Sequence, residues 1–263
     1  MNNRWYKFFK YILIGPWLRI YNRPYYIGGE KIPQEGPALM VSNHLAVMDH
    51  FFFPLVCRRQ LTFLAKAEYF TTPGFVGGIQ KFFFSSVGQV PIDRTSGDAA
   101  RDALNAGLKV LSRGDLLGIS LEGTRSPDGR LYRGKTGAAR VALKAGVPVF
   151  PMAMIDTEKA NPIGSWIPRP VKVGTIIGDP IDPSEYKAKY SDEYEAARAL
   201  TDDLIKEIQK LSGQEYVDAY ATDVKKSLEA GNGYPAGTEP GGELTIPAPG
   251  PKPTPRRWFR RAR

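Results

Sequence analysis

The sequence has a single cysteine, Cys57, and only two histidines, His44 and His50. One cysteine cannot form an internal disulfide bond, so the composition gives no sign of an oxidising compartment. Histidine exchanges a proton near neutral pH, which restricts imidazole acid–base chemistry to residues 42–50. The histidines also argue against a metal site, because His44, Asp49 and His50 lack the i, i+4 spacing of helical zinc ligands. We expect no metal ion and no other cofactor.

Long apolar runs are also missing. A transmembrane helix needs about 20 consecutive apolar residues, whereas the best candidate, residues 11–18, is far shorter and contains Pro16. We therefore expect no membrane-spanning helix. Residues 3–21 instead predict an amphipathic helix with a kink at Pro16, because Trp5, Phe8 and Ile12 recur at helical spacing. Two interpretations stay open, a helix docked on the domain and a helix lying at a membrane interface.

Acidic residues are absent from both ends of the chain. Residues 1–23 carry five Lys and Arg and residues 250–263 carry six, so the body of this +9 chain has a net charge of −2. A nucleic-acid-binding enzyme more often carries its positive charge along a groove of the folded domain. Basic ends that also contain aromatic residues are typical of contact with an anionic membrane surface. We expect that surface as a partner, and no nucleic acid.

Strand and helix patterns alternate through the middle of the chain. Apolar runs predict strands at 37–42, 61–66, 89–92, 116–120, 148–155 and 171–177. Helical patterns fall at 46–57, 75–86, 97–112, 137–145, 191–211 and 214–229. This order predicts an α/β fold, a single domain with a mostly parallel central sheet flanked by helices. We assign 1–22 to the amphipathic helix, 23–230 to the α/β domain, and 231–263 to a disordered Pro/Gly-rich linker and basic tail.

His44 and Asp49 form the first candidate for chemistry. Five positions on an ideal helix are about 140° apart around the axis, so the two side chains would not meet within one helix. His44 must therefore precede the helix and turn back over its first turn. In such a pair the carboxylate orients the imidazole, whose other nitrogen can deprotonate a hydroxyl. Taken alone, the pair is open to a structural as well as a catalytic reading.

A second candidate is the segment 122–126, with the sequence Glu-Gly-Thr-Arg-Ser, which follows a predicted strand. Glycine lets the backbone approach a ligand closely, hydroxyls and N–H groups can bind phosphate oxygens, and arginine matches a phosphate in bidentate fashion. Arg94 follows another predicted strand. Together with Arg125 it would bind a phosphate beside the imidazole, although a surface turn with a solvated arginine is the simpler alternative for either residue alone.

The order of these motifs resembles the glycerolipid acyltransferase family, which includes the 1-acylglycerol-3-phosphate (lysophosphatidic acid) acyltransferases. The resemblance covers about residues 35–180 and rests on these segments: Asn43-His44 with Asp49, 63–70, 90–94, 122–126 and 147–151. It implies an O-acyltransferase that moves a fatty acyl group from acyl-CoA or acyl carrier protein to the 2-hydroxyl of lysophosphatidic acid. It also implies phospholipid biosynthesis at the cytoplasmic face of the cell membrane, with the chain held there peripherally.

The resemblance implies roles for single residues. His44 would be the general base on the acceptor hydroxyl and Asp49 would orient it, with direct attack on the thioester and no acyl-enzyme. The acceptor phosphate would be bound by Arg94 and Arg125, in a loop shaped by the remaining members of its motif: Glu122, Gly123 and Thr124.

Weaker expectations concern four more residues. Lys66 would contact the phosphate, Pro148 would line a strand near the acyl donor, and Asn43 and Ser126 would support the motifs that contain them. The family usually has Phe-Pro before Glu-Gly-Thr-Arg, whereas this chain has Ser120-Leu121. The alternatives that stay open are another lysolipid acceptor, a hydrolase using the same His–Asp pair, and a lipid-binding protein without turnover.

Overall fold

The computed structural model describes residues 3–93, 98–165 and 167–241. Within these residues, seven strands form the main sheet in the order β1-β8-β7-β2-β5-β3-β4. They are β1 Tyr25–Ile27, β2 Ala38–Ser42, β3 Leu61–Lys66, β4 Val90–Ile92, β5 Leu116–Ser120, β7 Val149–Ile155 and β8 Gly174–Ile177. All described pairings in this sheet are parallel except that between β7 and β8. The prediction of a mostly parallel sheet is therefore confirmed.

Helices cover both faces of the sheet. The α-helices are α1 Arg4–Phe8, α2 Ile14–Tyr21, α3 Asp49–Val56, α4 Glu68–Thr71, α5 Gly74–Ser86, α6 Ala99–Leu111, α7 Gly137–Ala145, α8 Thr157–Ala160, α9 Pro183–Lys189, α10 Glu193–Ser212 and α11 Ala221–Glu229. A 3₁₀ turn spans Gly29–Lys31, and a second small sheet pairs β6 Leu131–Tyr132 with β9 Tyr216–Val217.

The central strand β2 divides the core into two layers. All five of its residues are buried, as expected for a parallel strand covered on both faces. Side chains alternate along a strand, so Leu39 and Val41 pack in the layer under α6, α7 and α10. Met40 packs in the opposite layer with Phe52 of α3 and Leu18 of α2. Apolar burial on both faces holds the ends of β2 and its neighbours in a fixed position.

The N-terminal helix, Arg4–Tyr21, consists of α1, a π-helical turn at Phe9–Leu13, and α2. The π turn ends at Leu13, and Pro16 lies in the first turn of α2, so the kink at Pro16 stays a prediction. Pro16 has no N–H to donate to the preceding turn. Tyr6 and Leu18 of this helix are buried while Ile12 is 67% exposed. One side thus packs on the domain and the other is free, and no described helix is long and apolar enough to cross a membrane.

Two differences from the predictions lie in the C-terminal part. Residues 214–229 do not form one helix, because Tyr216 and Val217 pair with β6 and α11 begins only at Ala221. The segment 231–241 folds against the domain, where the buried Arg130 donates to the carbonyl of Glu239. The rest of the predicted linker and basic tail, residues 242–263, lies outside the described residues.

Candidate active site

Three loops meet at one edge of the sheet. The strands β2, β5 and β7 run parallel, with Ser42 level with Ser120 and with Met152. The carboxyl ends of parallel strands share an edge, which is where open α/β sheets place their sites. His44 follows β2 and Glu122 follows β5, so residues that are about 80 positions apart in the chain become neighbours.

His44 lies before α3, as its spacing from Asp49 predicts. The helix begins at Asp49, and His44 Nδ1 lies 2.9 Å from Asp49 Oδ2. The same oxygen accepts hydrogen bonds from the backbone N–H groups of Leu45 and Ala46, at 2.8 and 3.0 Å. The carboxylate thereby holds both the imidazole and the turn that carries it, and Nε2 is the nitrogen left for a substrate.

The Asp49 carboxylate is buried, and burial acts to raise its pKa. The hydrogen bonds from His44 and the Ala46 N–H, with the nearby Thr157 hydroxyl, outweigh this effect and lower the pKa below its ordinary value. Asp49 Oδ1 is buried without a hydrogen bond of ordinary geometry among the described residues, and so is Thr157 Oγ1. Thr157 begins α8, directly after β7, and is fully buried. Sequence reasoning did not identify this residue.

Glu122 supports the histidine through the backbone. Its Oε2 accepts from the His44 N–H at 2.9 Å and its Oε1 from the Tyr132 N–H at 3.0 Å. The His44 carbonyl in turn accepts from the Ser126 N–H at 2.8 Å. Burial raises the pKa of Glu122 to about 8, and the charges of Asp49 and Asp128 act in the same direction against the two N–H groups. The glutamate therefore links the loop after β5 to the loop after β2.

Asn43 ties the same turn to a third strand. Its Nδ2 donates to the Met154 carbonyl at 3.0 Å and to Gln214 Oε1 at 2.7 Å, and its Oδ1 accepts from the Met154 N–H at 2.7 Å. Gln214 in turn donates to the carbonyl of Gly129, in the loop after β5. Hydrogen bonds to two parts of the chain, one of them linked onward to the loop after β5, thus hold the residue beside His44, which limits the freedom of the imidazole.

A pocket of about 710 Å³ opens beside His44. One wall is a stripe of side chains before and along α3 at helical spacing: Val47, His50, Phe51, Pro54 and Leu55. The N-terminal helix and α5 supply further aromatic and aliphatic lining residues: Tyr6, Phe9, Ile14, Phe83 and Phe84. The His50 ring lies 5.2 Å from that of His44 and 4.7 Å from that of Phe63. An apolar chain would fit such a pocket with its reactive end at the imidazole.

Cations line the same pocket as His44. They are Lys10, Lys66, Arg125, Lys135 and Lys225, and Gly123 and Thr124 line it with them. Gly123 has φ 71°, and a Cβ there would lie 3.1 Å from Lys135 Cδ, so glycine gives the Lys135 side chain room to lie against the loop. Sequence reasoning missed Lys135, because its signal is tertiary. Arg94 lies outside the described residues.

The acyltransferase family model matches residues 23–155, about half of the chain. The chain belongs to the acyltransferase family. It is 33% identical over 183 residues to a chloroplastic 1-acyl-sn-glycerol-3-phosphate acyltransferase of Arabidopsis thaliana, covering 67% of this chain and 50% of that one. It is 30% identical over 131 residues to a 1-acyl-sn-glycerol-3-phosphate acyltransferase of Borreliella burgdorferi, covering half of each. The chain thus spans about half the length of these curated relatives.

A solved structure agrees with these matches. The crystal structure of the 1-acyl-sn-glycerophosphate acyltransferase of Thermotoga maritima superposes with a TM-score of 0.56 at 25% sequence identity. The similarity covers 76% of this chain and 80% of that one. The motifs predicted the fold of this family, with its mostly parallel sheet, and the superposition confirms that prediction.

Pro148 does not line the pocket beside His44, and its predicted place near the acyl donor stays a prediction. Pro148 immediately precedes β7, and its carbonyl accepts from the Leu39 N–H at the opposite end of β2 from His44. A strand rises about 3.3 Å per residue, so the start of β7 lies roughly 10 Å or more from the edge that carries the imidazole.

Lys66 does line the pocket at the end of β3, but its Nζ also pairs with Glu68 at 2.7 Å. The pair is about half exposed, and exposed pairs are weak, so a stronger anion can displace the glutamate. Over the described part of the chain, no group of His, Cys, Asp and Glu side chains is arranged to hold a metal ion.

Proposed function

We propose that this chain transfers a fatty acyl group from an acyl thioester to the 2-hydroxyl of 1-acylglycerol-3-phosphate, giving phosphatidic acid. The observation that carries the proposal is the His44–Asp49 hydrogen bond of 2.9 Å, with His44 lining a largely apolar pocket that cations also line. A base, an apolar cavity and a phosphate-binding rim are the three features that this reaction needs. The names of the relatives support the choice of acceptor.

His44 Nε2 takes the proton of the acceptor hydroxyl as its oxygen bonds to the thioester carbonyl carbon. Asp49 stabilises the imidazolium that forms. The carbon–sulfur bond then breaks, and the imidazolium returns the proton to the departing thiolate. The chain supplies no nucleophile in this sequence of steps, because Cys57 is buried with its pKa raised by burial.

The acceptor phosphate would bind at Arg125 and Lys135, with Gly123 and Thr124 shaping the loop. Both cations line the pocket beside His44, and a guanidinium binds phosphate in bidentate fashion. Lys66 is a further cation that lines the pocket. Arg94 stays a sequence-based proposal for binding the same phosphate. The acyl chain would occupy the apolar pocket. Both candidate donors, acyl-CoA and acyl carrier protein, would present the same thioester to His44.

The N-terminal helix would attach the chain peripherally to an anionic membrane surface, at the cytoplasmic face of the cell membrane. Trp5, Trp17 and Ile20 of this helix are 49, 46 and 79% exposed. Aromatic residues beside Lys and Arg are favoured at the headgroup level. Because lysophosphatidic acid resides in membranes, attachment there would bring the pocket to its substrate.

A transfer assay with the purified chain tests the activity. Lysophosphatidic acid, lysophosphatidylcholine and lysophosphatidylethanolamine are offered in turn with acyl-CoA or acyl carrier protein as donor. We expect phosphatidic acid from the first acceptor and little product from the others, because only a terminal phosphate monoester fits the cationic rim. Release of free fatty acid at the same rate with and without acceptor would identify a hydrolase instead. Equal use of all three acceptors would contradict the phosphate assignment.

A further inference from the structure

Helix α5 exposes an apolar face that the proposed chemistry of the site does not explain. Phe75, Val76, Ile79 and Phe82 are 84, 61, 54 and 50% exposed. At 100° per residue, Phe75, Ile79 and Phe82 lie within about 60° of one another, on one side of the helix. Four large apolar side chains on adjoining positions of one helix form a patch of the kind that marks an interaction site.

This face is continuous with the exposed side of the N-terminal helix. The Trp5 ring lies 5.2 Å from that of Phe82, and the Phe9 ring lies 5.0 Å from that of Phe83. Asn3 also donates to the carbonyl of Ser86 at 2.7 Å, so the N-terminal helix begins at the end of α5. The two helices therefore present one composite apolar surface.

The charged residues carried by the two helices are of one sign. Residues 69–92 contain a single charged residue, Lys81, and residues 1–23 contain five Lys and Arg and no acid. A surface that binds a second protein usually has a rim of both signs. The two acids that bound this segment are Glu68, which pairs with Lys66, and Asp93. An apolar face whose own charged residues are all cations is complementary to a bilayer that contains anionic lipid.

The pocket lies directly behind this surface. Phe83 and Phe84 of α5 line it, as do Tyr6 and Phe9 of the N-terminal helix. Phe84 is about 180° around the helix from the exposed stripe, and its ring stacks on that of Tyr69 at 4.7 Å. The same helix thus has one face toward the pocket and another toward the exterior.

We propose that α5 is a second lipid-contacting helix, which inserts its exposed face into an anionic bilayer beside the N-terminal helix. The pocket would then open beside the acyl region of the membrane, and an acyl chain could enter it between the two helices without crossing water. This inference rests on the proposed function, because it assumes that the substrates lie in a membrane.

Depth-dependent fluorescence quenching tests the contact directly. Cys57 is fully buried, so a cysteine introduced by Ile79→Cys can be labelled selectively with a small fluorophore. We expect brominated lipids in phosphatidylglycerol-containing vesicles to quench this label. The matched control is Tyr194→Cys, since Tyr194 is 65% exposed on α10, which packs on the other face of the sheet. Equal quenching of both labels, or of neither, would overturn the proposal.

Vesicle sedimentation separates this inference from the proposed function. The double variant Phe75→Ser/Ile79→Ser should bind anionic vesicles at least tenfold more weakly than the unaltered chain, because two large apolar contacts are lost. Its transfer rate on detergent-dispersed substrates should be unchanged, since neither residue lines the pocket. If the double variant binds as tightly as the unaltered chain, α5 is not a lipid contact while the proposed function stands. If the unaltered chain itself does not bind, membrane attachment is wrong altogether.

Discussion

The carboxyl group of Glu122 accepts a hydrogen bond of 2.9 Å from the backbone N–H of His44. The position of the proposed base therefore depends on the loop that carries the proposed phosphate-binding residues, although the two residues follow different strands. A change in either loop should alter both catalysis and acceptor binding. The coupling is local, because it passes through one buried side chain.

Substitution of the histidine–aspartate pair should abolish turnover without unfolding the chain. Removal of a general base costs about a hundredfold or more, so His44→Ala and Asp49→Asn should both lower kcat by at least that factor. Initial rates of phosphatidic acid formation measure the loss, and thermal denaturation shows whether the fold is intact. His50→Ala is the matched control, and we expect it to retain activity. Near-normal turnover in both His44 and Asp49 variants would rule out this mechanism.

Glu122→Gln should change the pH dependence of stability as well as activity. The pKa of Glu122 is about 8 in the folded chain against an ordinary 4.5, so the unfolded chain loses this proton first. Between about pH 4.5 and 8 the folded chain holds a proton that the unfolded chain has lost. The contribution of Glu122 to the free energy of unfolding therefore falls as the pH rises through this range, and it does not change with pH below or above it. Glutamine does not ionise, so the free energy of unfolding of the variant should fall less over that range.

The same variant loses one acceptor for a backbone N–H, because a carboxamide has a single oxygen. We expect kcat to fall by about tenfold as the His44 turn loses one hydrogen bond. Chemical denaturation from pH 4.5 to 9, with kinetics at each pH, measures both effects. An unchanged slope of stability against pH would show that Glu122 is ionised in the folded chain throughout the range.

Thr157→Val should raise the pKa of Asp49 and slow transfer most strongly at low pH. The buried Thr157 hydroxyl helps to hold the pKa of Asp49 low, so its removal takes away part of what stabilises the ionised carboxylate. The carboxyl then titrates at higher pH in an environment that also includes His44, Glu122 and Glu158. The acidic limb of kcat/KM against pH should shift upward, and Thr157→Ser should restore it.

A matched control separates this effect from simple loss of stability. Thr201 is also fully buried, and its hydroxyl donates to the Ala197 carbonyl in α10. Thr201→Val should lower the melting temperature without moving the pH profile. If Thr157→Val also leaves the profile in place, the hydroxyl has no part in holding Asp49.

Arg125→Ala should weaken acceptor binding, and Lys135→Ala should do so too. A hydrogen bond to a charged group contributes about 1.5–3 kcal/mol, so the acceptor KM should rise by tenfold or more while the donor KM stays constant. Arg140→Ala, an exposed arginine on α7 that does not line the pocket, is the control. A rise in the donor KM alone would assign these cations to the thioester carrier.

Much of the fold could be predicted because its signals are local. The runs 61–66 and 116–120 are strands at the predicted boundaries, since buried parallel strands are apolar along their whole length. Residues 214–229 could not be predicted in this way. Their helical pattern is interrupted at Tyr216 and Val217, which gain more by pairing with β6, a strand far away in the sequence.

The amino-acid sequence by itself determined which chemistry is possible. With only two histidines, one cysteine and cations at the ends of the chain, it limited the base to His44 or His50 and predicted a lipid surface over nucleic acid. Helical geometry alone required His44 to precede the helix that Asp49 begins.

Only the tertiary structure decided what surrounds that histidine. The hydrogen bond from His44 to Glu122 joins residues 78 positions apart. The contact of Thr157 with Asp49 and that of Lys135 with Gly123 likewise depend on how strands pair. Such contacts leave no periodicity in the chain, because they are set by strand order and by the buried layers that hold the strand ends together.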